Sequence, residues 1–293
     1  MDFSETYQGR AQNCCLQVYD LVTKQVQVLA NFTHVIEAPM WSKDGSAVLY
    51  NSEGRIYRCA LADGAITLVD TGAAKFCNND HVLAPDGSGI AVSGNVENST
   101  VSKIYTVKFG SGEAKEVVGT PWSYLHGWSP DGKTLAYCAG RQIGDGMAWD
   151  IYTCSAEGGS ETRLTDAPGL NDGPEYSPDG ATIWFNSART GLMQVWKMNA
   201  DGSGQTQMTF DVDRNSWFPH ISPDGGKVVY LAYRKGDLEP GEHLPDKNVE
   251  IRMIPAAGSQ PETLLQLFGG QGSINVNSWS PDSTRFAFVS YQE

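Results

Sequence analysis

The chain has 293 residues, 32 of them glycine, and a formal net charge of −13 at pH 7. Binding to nucleic-acid phosphates depends on clusters of lysine and arginine, so this charge argues against a nucleic-acid partner. No apolar stretch reaches the length of about 20 residues that a membrane-spanning helix needs, so we expect no membrane span.

The first predicted elements are two short strands near the N-terminus. Apolar and polar residues alternate over residues 16–19 and 25–29, a pattern typical of half-buried strands. Both resemble the outer strands of the repeats that follow, but no inner strands precede them.

A four-residue turn, Ser-Pro-Asp-Gly, then recurs along the chain. Proline presets φ at the first central position, aspartate bonds back to the backbone at the second, and glycine closes the turn. Three copies are complete and three are degenerate, and we call all six SPDG turns: residues 129–132, 177–180 and 222–225, then 42–45, 84–87 and 280–283.

Each SPDG turn separates two predicted strands, and two more strands follow. The third strand begins with a pair such as Ile56-Tyr57 or Ile151-Tyr152, and a glycine-containing hairpin leads to the fourth. Successive turn aspartates lie 42 to 58 residues apart. This period, with four strands per repeat, predicts an all-β fold, namely a six-bladed β-propeller of four-stranded antiparallel blades.

The last repeat lacks its outer strands, because the chain ends soon after the sixth SPDG turn. We therefore predict that residues 13–30 complete the blade that contains residues 276–291. Such closure by the N-terminal strands leaves no free sheet edge around the ring. On this interpretation residues 1–293 form one propeller domain.

The six cysteines are not spaced as a metal or redox motif. Cys59 and Cys154 occupy a repeat position that other blades fill with apolar residues, so we expect core thiols. Free thiols fit a reducing compartment, and residues 1–7 lack a signal-peptide pattern. We therefore expect a cytoplasmic protein, or a periplasmic one if a leader has been removed.

The repeat is similar to a known family. Blade 4 carries the pattern most fully, with Pro-Glu-Tyr-Ser-Pro-Asp-Gly at residues 174–180, Ala-Arg-Thr-Gly at 188–191, Val-Trp at 195–196 and Gln-Met-Thr at 207–209. This run resembles the PD40 (WD40-like) repeat of TolB-like six-bladed β-propellers, and the similarity covers practically the whole chain.

The resemblance implies a fold more firmly than an activity. The same repeat forms the non-catalytic domain of prolyl-oligopeptidase-like enzymes and the body of some sugar lyases. TolB itself has an additional N-terminal domain and a leader, and this sequence shows neither. It also contains no Gly-x-Ser-x-Gly pentapeptide of a hydrolase.

Variation in loop length points to one face of the predicted disc. This face, which we call the funnel face, carries the blade-to-blade connections and the loops between second and third strands. The longest such loops span residues 141–149 and 234–248. Binding residues usually lie on variable loops of a rigid scaffold, so we expect the site there.

Polar and aromatic residues enter the innermost strands on the funnel face. The candidates for contact with a ligand or partner are Glu37, Asp80, His81, Tyr124, His126, Asp172, Glu175, Trp217 and His220. If a divalent metal is bound, His81, His126 and His220 are its expected ligands. The alternative is that each of these side chains bonds to a neighbouring blade, and no other cofactor is expected.

Three arginines share a register. Arg141, Arg189 and Arg234 each lie ten residues after the aspartate of an SPDG turn. They either fix the base of a loop or present a guanidinium fork to a carboxylate or acidic sugar.

These observations favour a binding scaffold without chemistry of its own. Its expected partner is a protein or peptide, with an acidic saccharide as the alternative, and the acidic ring suits cations or basic proteins or simply confers solubility. The competing hypothesis is a metal-assisted saccharide lyase or hydrolase with its site at the funnel mouth.

Overall fold

Six antiparallel sheets follow one another along the chain in the computed structural model, which describes Arg10, residues 13–95 and residues 101–292. The first seven residues, which lack a signal-peptide pattern, lie outside the described residues. In the part of the chain that is described, no helix is long and apolar enough to cross a bilayer.

Five sheets contain four strands each, and in each the chain order is also the spatial order. Blade 1 comprises β3 (Glu37–Trp41), β4 (Ala47–Ser52), β5 (Arg55–Ala60) and β6 (Ile66–Leu68). Blade 2 comprises β7 (Phe76–Leu83), β8 (Gly89–Asn95), β9 (Lys103–Lys108) and β10 (Ala114–Val118). Blade 3 comprises β11 (Ser123–Trp128), β12 (Thr134–Ile143), β13 (Gly146–Ser155) and β14 (Thr162–Arg163).

The next two blades repeat this order. Blade 4 comprises β15 (Asn171–Tyr176), β16 (Thr182–Ser187), β17 (Gln194–Asn199) and β18 (Thr206–Gln207). Blade 5 comprises β19 (Arg214–Ile221), β20 (Lys227–Arg234), β21 (Lys247–Pro255) and β22 (Glu262–Gly269), and a 3-10 helix over Gln271–Ser273 follows it. The predicted six-bladed propeller is thereby confirmed.

The two ends of the chain meet in blade 6. Strand β1 (Asn13–Asp20) pairs along its whole length with β23 (Arg285–Gln292), and β2 (Gln25–Phe32) pairs with the other edge of β1. Strand β23 also contacts β3 of blade 1. The predicted closure of the ring by the N-terminal strands is therefore confirmed.

The innermost segment of blade 6 departs from the regular pattern of four strands. An isolated bridge between Trp279 and Phe286, together with backbone bonds from Ala287 to Ser278 and from Ser280 to Arg285, joins it to β23. In this segment Asn277 turns its side chain to neighbouring blades, donating to Glu175 and to the carbonyl of Ile221. This segment joins the ring through side chains more than through a strand ladder.

The SPDG turns form as their chemistry predicts. In blade 5, Gly225 adopts a φ of 70°, a left-handed value that glycine reaches without a steric penalty. The carboxylate of Asp224 accepts bonds from the hydroxyl of Ser222, at 2.5 Å, and from the backbone of Gly226, at 2.9 Å. These bonds lower the pKa of Asp224, and the same side-chain bond from serine recurs at Asp131, Asp179 and Asp282.

The apolar core lies between adjacent blades. Trp184 and Val195 of blade 4, for example, pack with Ile221 and Tyr230 of blade 5. Burial of each such large side chain contributes about 1.5–3 kcal/mol. Because every blade is held on both sides, the inner ends of the strands form a rigid frame around the central axis.

Candidate functional site

The innermost strands bulge where they reach the funnel face. Pairing between the first two strands shifts register in each of blades 1 to 5. Three bulge residues, each six positions before the aspartate of an SPDG turn, have positive φ: Ala38 at 54°, Gly173 at 61° and Phe218 at 54°. Positive φ is unfavourable for alanine and phenylalanine, so their surroundings must hold these bulges in place.

A polar side chain in the neighbouring blade holds most of these bulges. It lies seven residues after the aspartate of an SPDG turn and bonds to the innermost strand of the next blade. Asn51 donates to Cys77 O at 3.1 Å, and Ser93 Oγ accepts from Leu125 N at 2.6 Å. Asn186 Oδ1 accepts from Phe218 N at 3.1 Å. These contacts between blades fix the backbone that carries the candidate site.

A cavity of about 690 Å³ opens on the central axis at the funnel face, and residues of all six blades line it. We call it the funnel cavity. The residues used below that line it are Arg10, Glu37, Asp80, Tyr124, His126, Cys138, Trp149, Asp172, Phe218, His243 and Asn275. Five of the predicted site residues are thus brought together: Glu37, Asp80, Tyr124, His126 and Asp172.

Two aspartates share one imidazole in the wall of the funnel cavity. His126 Nε2 lies 3.3 Å from Asp172 Oδ1 and 3.8 Å from Asp80 Oδ1. Burial opposes a charge on His126, but Asp80 and Asp172 outweigh it and raise the pKa of the imidazole. Burial likewise opposes ionisation of Asp172, yet the bond from His126 holds its pKa at about 2. Burial is the main reason that the pKa of Asp80 is raised.

A second ion pair lies across the cavity. Arg10 Nη1 is 2.5 Å from Glu37 Oε1, and Arg10 Nε is 3.6 Å from Asp246 Oδ2. The guanidinium also lies over the ring of Tyr291, at 5.2 Å. Glu37 therefore has a counter-ion beside it, whereas the two aspartates share the single imidazole of His126.

The two connections predicted as the longest loops both reach the funnel cavity, but only one of them is a loop. Residues 141–149 form the end of a β-hairpin, since β12 extends to Ile143 and β13 begins at Gly146, and Trp149 of β13 lies with its ring 6.1 Å from that of Tyr124. His243, in the 234–248 loop, packs its ring 4.5 Å from Trp217 and 5.4 Å from Phe218. Burial and the nearby carboxylates raise the pKa of Tyr124 to about 12, so its phenol remains a hydrogen-bond donor at neutral pH.

The other two predicted histidines, His81 and His220, do not line the funnel cavity. His81 lines a second channel of about 390 Å³ near the SPDG turns, together with Glu175 and with His126, which borders both spaces. His220 Nδ1 lies 2.7 Å from Glu175 Oε2, and its Nε2 lies 2.9 Å from the carbonyl of Ile274. Both partners are acceptors, so the ring of His220 is engaged within the protein.

The three predicted metal ligands therefore do not converge on one point. Within residues 13–95 and 101–292 and at Arg10, no group of three histidine, cysteine or acidic side chains is arranged to hold a metal ion. Trp217 is fully buried in the core beneath His243, where it supports the loop.

Two of the registered arginines fix the bases of loops. Arg141 forms a bidentate pair with Glu161, at 2.5 and 3.0 Å, and also donates to the carbonyl of Pro121. Arg189 lies 4.6 Å from the ring of Trp196 and donates to Asn171. Arg234 is exposed at the end of β20, and none of the three arginines lines the funnel cavity.

Several residues of the cavity were not predicted from the sequence. His243 lies in the longest loop, and that length was the available signal. Arg10 stands outside the repeats, so no register identifies it. Asn275 lies seven residues before Asp282, the same register that Glu37, Tyr124 and Asp172 hold before their own turn aspartates, and that register was the available signal. Cys138 of β12 also lines the cavity, where burial raises the pKa of its thiol strongly.

Comparisons with known proteins agree with this architecture. The family described as the TolB beta propeller domain matches residues 126–251. An uncharacterized protein of Agrobacterium fabrum is 43% identical over 97% of this chain and 94% of its own length. The Tol-Pal system protein TolB of Francisella tularensis is 26% identical over 93% of this chain, which spans only 60% of that relative.

A solved structure from Agrobacterium tumefaciens, described as a candidate TolB, is similar along the whole propeller. Its TM-score is 0.89 with 43% sequence identity, and the match covers 97% of this chain and 100% of that chain. The likeness extends to overall blade number and order, since almost every residue of both chains is matched.

Proposed function

Because the chain belongs to the TolB β-propeller family, we propose that it is a binding scaffold that receives a protein or peptide partner on its funnel face. The observation that carries this proposal is the funnel cavity, which is open on the axis and lined by all six blades. At about 690 Å³ it lies within the range of about 300–1,000 Å³ that is usual for ligand sites.

The construction of the cavity also favours binding. Its walls come from strands fixed between neighbouring blades, and its rim comes from the β12–β13 hairpin and the loop between β20 and β21. Strained backbone persists in proteins where the surroundings enforce it, and it clusters at ligand sites. Phe218, which lines the cavity, and Ala38, which follows the lining residue Glu37, provide such positions. A rigid cavity with an adjustable rim suits recognition of an inserted side chain or short segment.

The relatives do not identify the partner of this chain. The Francisella protein is named as part of the Tol-Pal system, and this chain spans 60% of its length. We therefore propose a shared manner of binding, through the funnel face, and not a shared partner. The metal-assisted alternative gains no support from the geometry, because His220 is engaged internally and the histidines are separated.

For the compartment, we propose the cytoplasm, with the periplasm as the alternative. The six cysteines Cys14, Cys15, Cys59, Cys77, Cys138 and Cys154 are all buried as free thiols. Thiols that persist unpaired are typical of reducing compartments.

Site-specific photocrosslinking tests the binding face. We would place the photoreactive residue p-benzoylphenylalanine at Trp149, which lines the funnel cavity, and irradiate cells of the native host. The matched control carries it at Val28, which is 50% exposed on the outer strand β2. We expect a crosslink to one polypeptide from position 149 and none from position 28, mapped by mass spectrometry.

Crosslinks from Val28 alone, or the same species from both positions, would show that the partner binds elsewhere. If the variant is expressed and folded but irradiation gives no crosslinked polypeptide from position 149, the proposal of a protein or peptide partner is contradicted.

A further inference from the structure

The charges buried in the funnel cavity are not balanced. Asp80, Asp172 and His126 are each more than nine-tenths buried and form one cluster. Two carboxylates share one imidazole, so with both aspartates ionised the cluster is negative even when His126 is protonated. The other nearby group that can oppose this charge is the imidazole of His243. Glu37 does not alter this balance, because Arg10 lies beside it. A buried charge without a counter-ion is costly, so the cluster attracts one further positive charge.

A second, independent feature points to a donor group from outside. Asn275 lines the same cavity, is fully buried, and donates from Nδ2 to Asp80 Oδ1 at 2.8 Å. Its Oδ1 has no hydrogen-bond partner among the described atoms. Buried amide oxygens are nearly always paired, so an unpaired one at a cavity indicates a site for a donor.

The remaining walls suit an organic cation. The rings of Tyr124 and Trp149 form one side of the cavity, and Phe218 stacks against His126 at 6.0 Å on another. Aromatic faces attract ammonium and guanidinium groups, and they also cover the methylene groups that carry these cations. Carboxylates alone would suit any cation, but carboxylates beside aromatic rings favour an organic one.

We propose that the funnel cavity binds one monovalent organic cation, the ammonium of a lysine or the guanidinium of an arginine presented by a peptide segment, held by Asp80, Asp172 and Asn275 between aromatic walls. This inference rests on the proposed function and specifies the chemistry that the partner inserts. A divalent metal fits less well, since the described residues supply no group of three acidic, histidine or cysteine ligands around one point. An acidic saccharide would meet like charge in the cavity.

Short peptides of matched shape test the proposal directly. The probes are acetyl-Gly-Lys-Gly-amide and acetyl-Gly-Arg-Gly-amide, with neutral counterparts that carry ε-acetyl-lysine and citrulline. Gly-Gly-amide supplies a free α-amine as a further source of ammonium. Binding to the full chain is measured by isothermal titration calorimetry at constant salt. We expect the lysine or arginine peptide to bind at least tenfold more tightly than its neutral counterpart.

Variants locate the contact. Asp80→Asn and Asp172→Asn each remove one carboxylate charge at almost constant shape, and each should weaken binding of the cationic peptide about tenfold or more. The matched control, Glu113→Gln, removes one carboxylate from an exposed residue and should leave binding unchanged. Thermal melting of each variant establishes that it is folded. Comparison of charged and neutral peptides on the unaltered protein does not depend on any variant.

Three results would overturn the proposal: equal binding of charged and neutral peptides, no binding of any cationic peptide at millimolar concentration, or tighter binding of Mn²⁺ or Ca²⁺ than of every peptide. Tight binding of Gly-Gly-amide alone would overturn the assignment to side chains and show that the site takes a chain terminus. Crosslinking at Trp149 is independent of these results. A crosslinked partner together with failed peptide titrations would reject the cation and keep the binding face.

Discussion

Burial in the interior of the propeller lowers the pKa of a single histidine, His81. It lies in β7, is fully buried, and has a pKa lowered to about 4, chiefly because burial disfavours the charged imidazolium. In the unfolded chain a histidine has a pKa of about 6.5. Between these two values the unfolded chain binds more protons than the folded one, so stability falls as the pH is lowered from about 6.5 to 4.

Replacing this histidine should reduce the dependence of stability on pH. A shift of about 2.5 pKa units corresponds to roughly 3 kcal/mol, nearly all of it lost by pH 4. As the pH is lowered from 6.5 to 4.5, the free energy of unfolding of His81→Gln should fall by about 2–3 kcal/mol less than that of the original chain. Urea denaturation at a series of pH values measures this difference.

The exposed His34 provides the matched control, because its replacement by glutamine should preserve the original slope. An unchanged slope in His81→Gln would mean that His81 is accessible to protons in the folded state.

At the scale of elements, the shape of the funnel cavity depends on contacts between neighbouring blades. Asn186 of β16 is fully buried, accepts from Phe218 N, and lies beside Gly173, where a Cβ atom would come within 2.7 Å of its Oδ1. Asn186 thus fixes the bulge of blade 5 and leaves no room for a side chain at the bulge of blade 4. The backbone of Phe218 depends on it, and so does the position of the aromatic ring in the cavity wall.

Removal of this side chain should destabilise the protein and loosen the cavity. Asn186→Ala leaves the buried N–H of Phe218 without a partner, which costs about 1–3 kcal/mol in the free energy of unfolding. Urea denaturation should show this loss. The control is Asn248→Ala, at an exposed asparagine of β21, which should change stability by less than about 0.5 kcal/mol. Equal effects of the two changes would contradict the role given to Asn186.

At the scale of the whole molecule, the ring depends on its two ends. Strands β1 and β2 cover the edge of β23, and Leu16 and Val18 of β1 pack in one cluster with Val289 of β23 and Trp41 of blade 1. The N-terminal strands therefore complete both a sheet and part of the core between blades 6 and 1.

Deletion of residues 1–30 should expose β23 as an unpaired edge and open the ring. Exposed strand edges pair with other molecules, so we expect aggregation in place of a monomer. Light scattering after size-exclusion chromatography measures the outcome, and a shorter deletion of residues 1–9 serves as the control. A monomeric, cooperatively melting protein without residues 1–30 would show that the ring closes by other contacts.

Much of the fold follows from local chemistry and can be predicted from the order of residues alone. The SPDG turns form wherever serine, aspartate and glycine stand in register, because their bonds lie within the turn. Alternation of apolar residues then sets the face of each strand. Since Glu37, Asp80, Tyr124, His126 and Asp172 all lie five to seven residues before the aspartates of these turns, the repeat also predicted that they gather on the axis.

Which of these side chains act together depends on the assembled ring. His220 and Glu175 satisfy one another across blades, whereas Asp80 and Asp172 share His126 and retain an unbalanced charge. Arg10 and His243 enter the cavity from segments without a periodic signal, whereas Asn275 stands in the register of Glu37, Tyr124 and Asp172. Register along a strand is a local property, but hydrogen bonding and charge balance depend on atoms that meet only when the ring has closed.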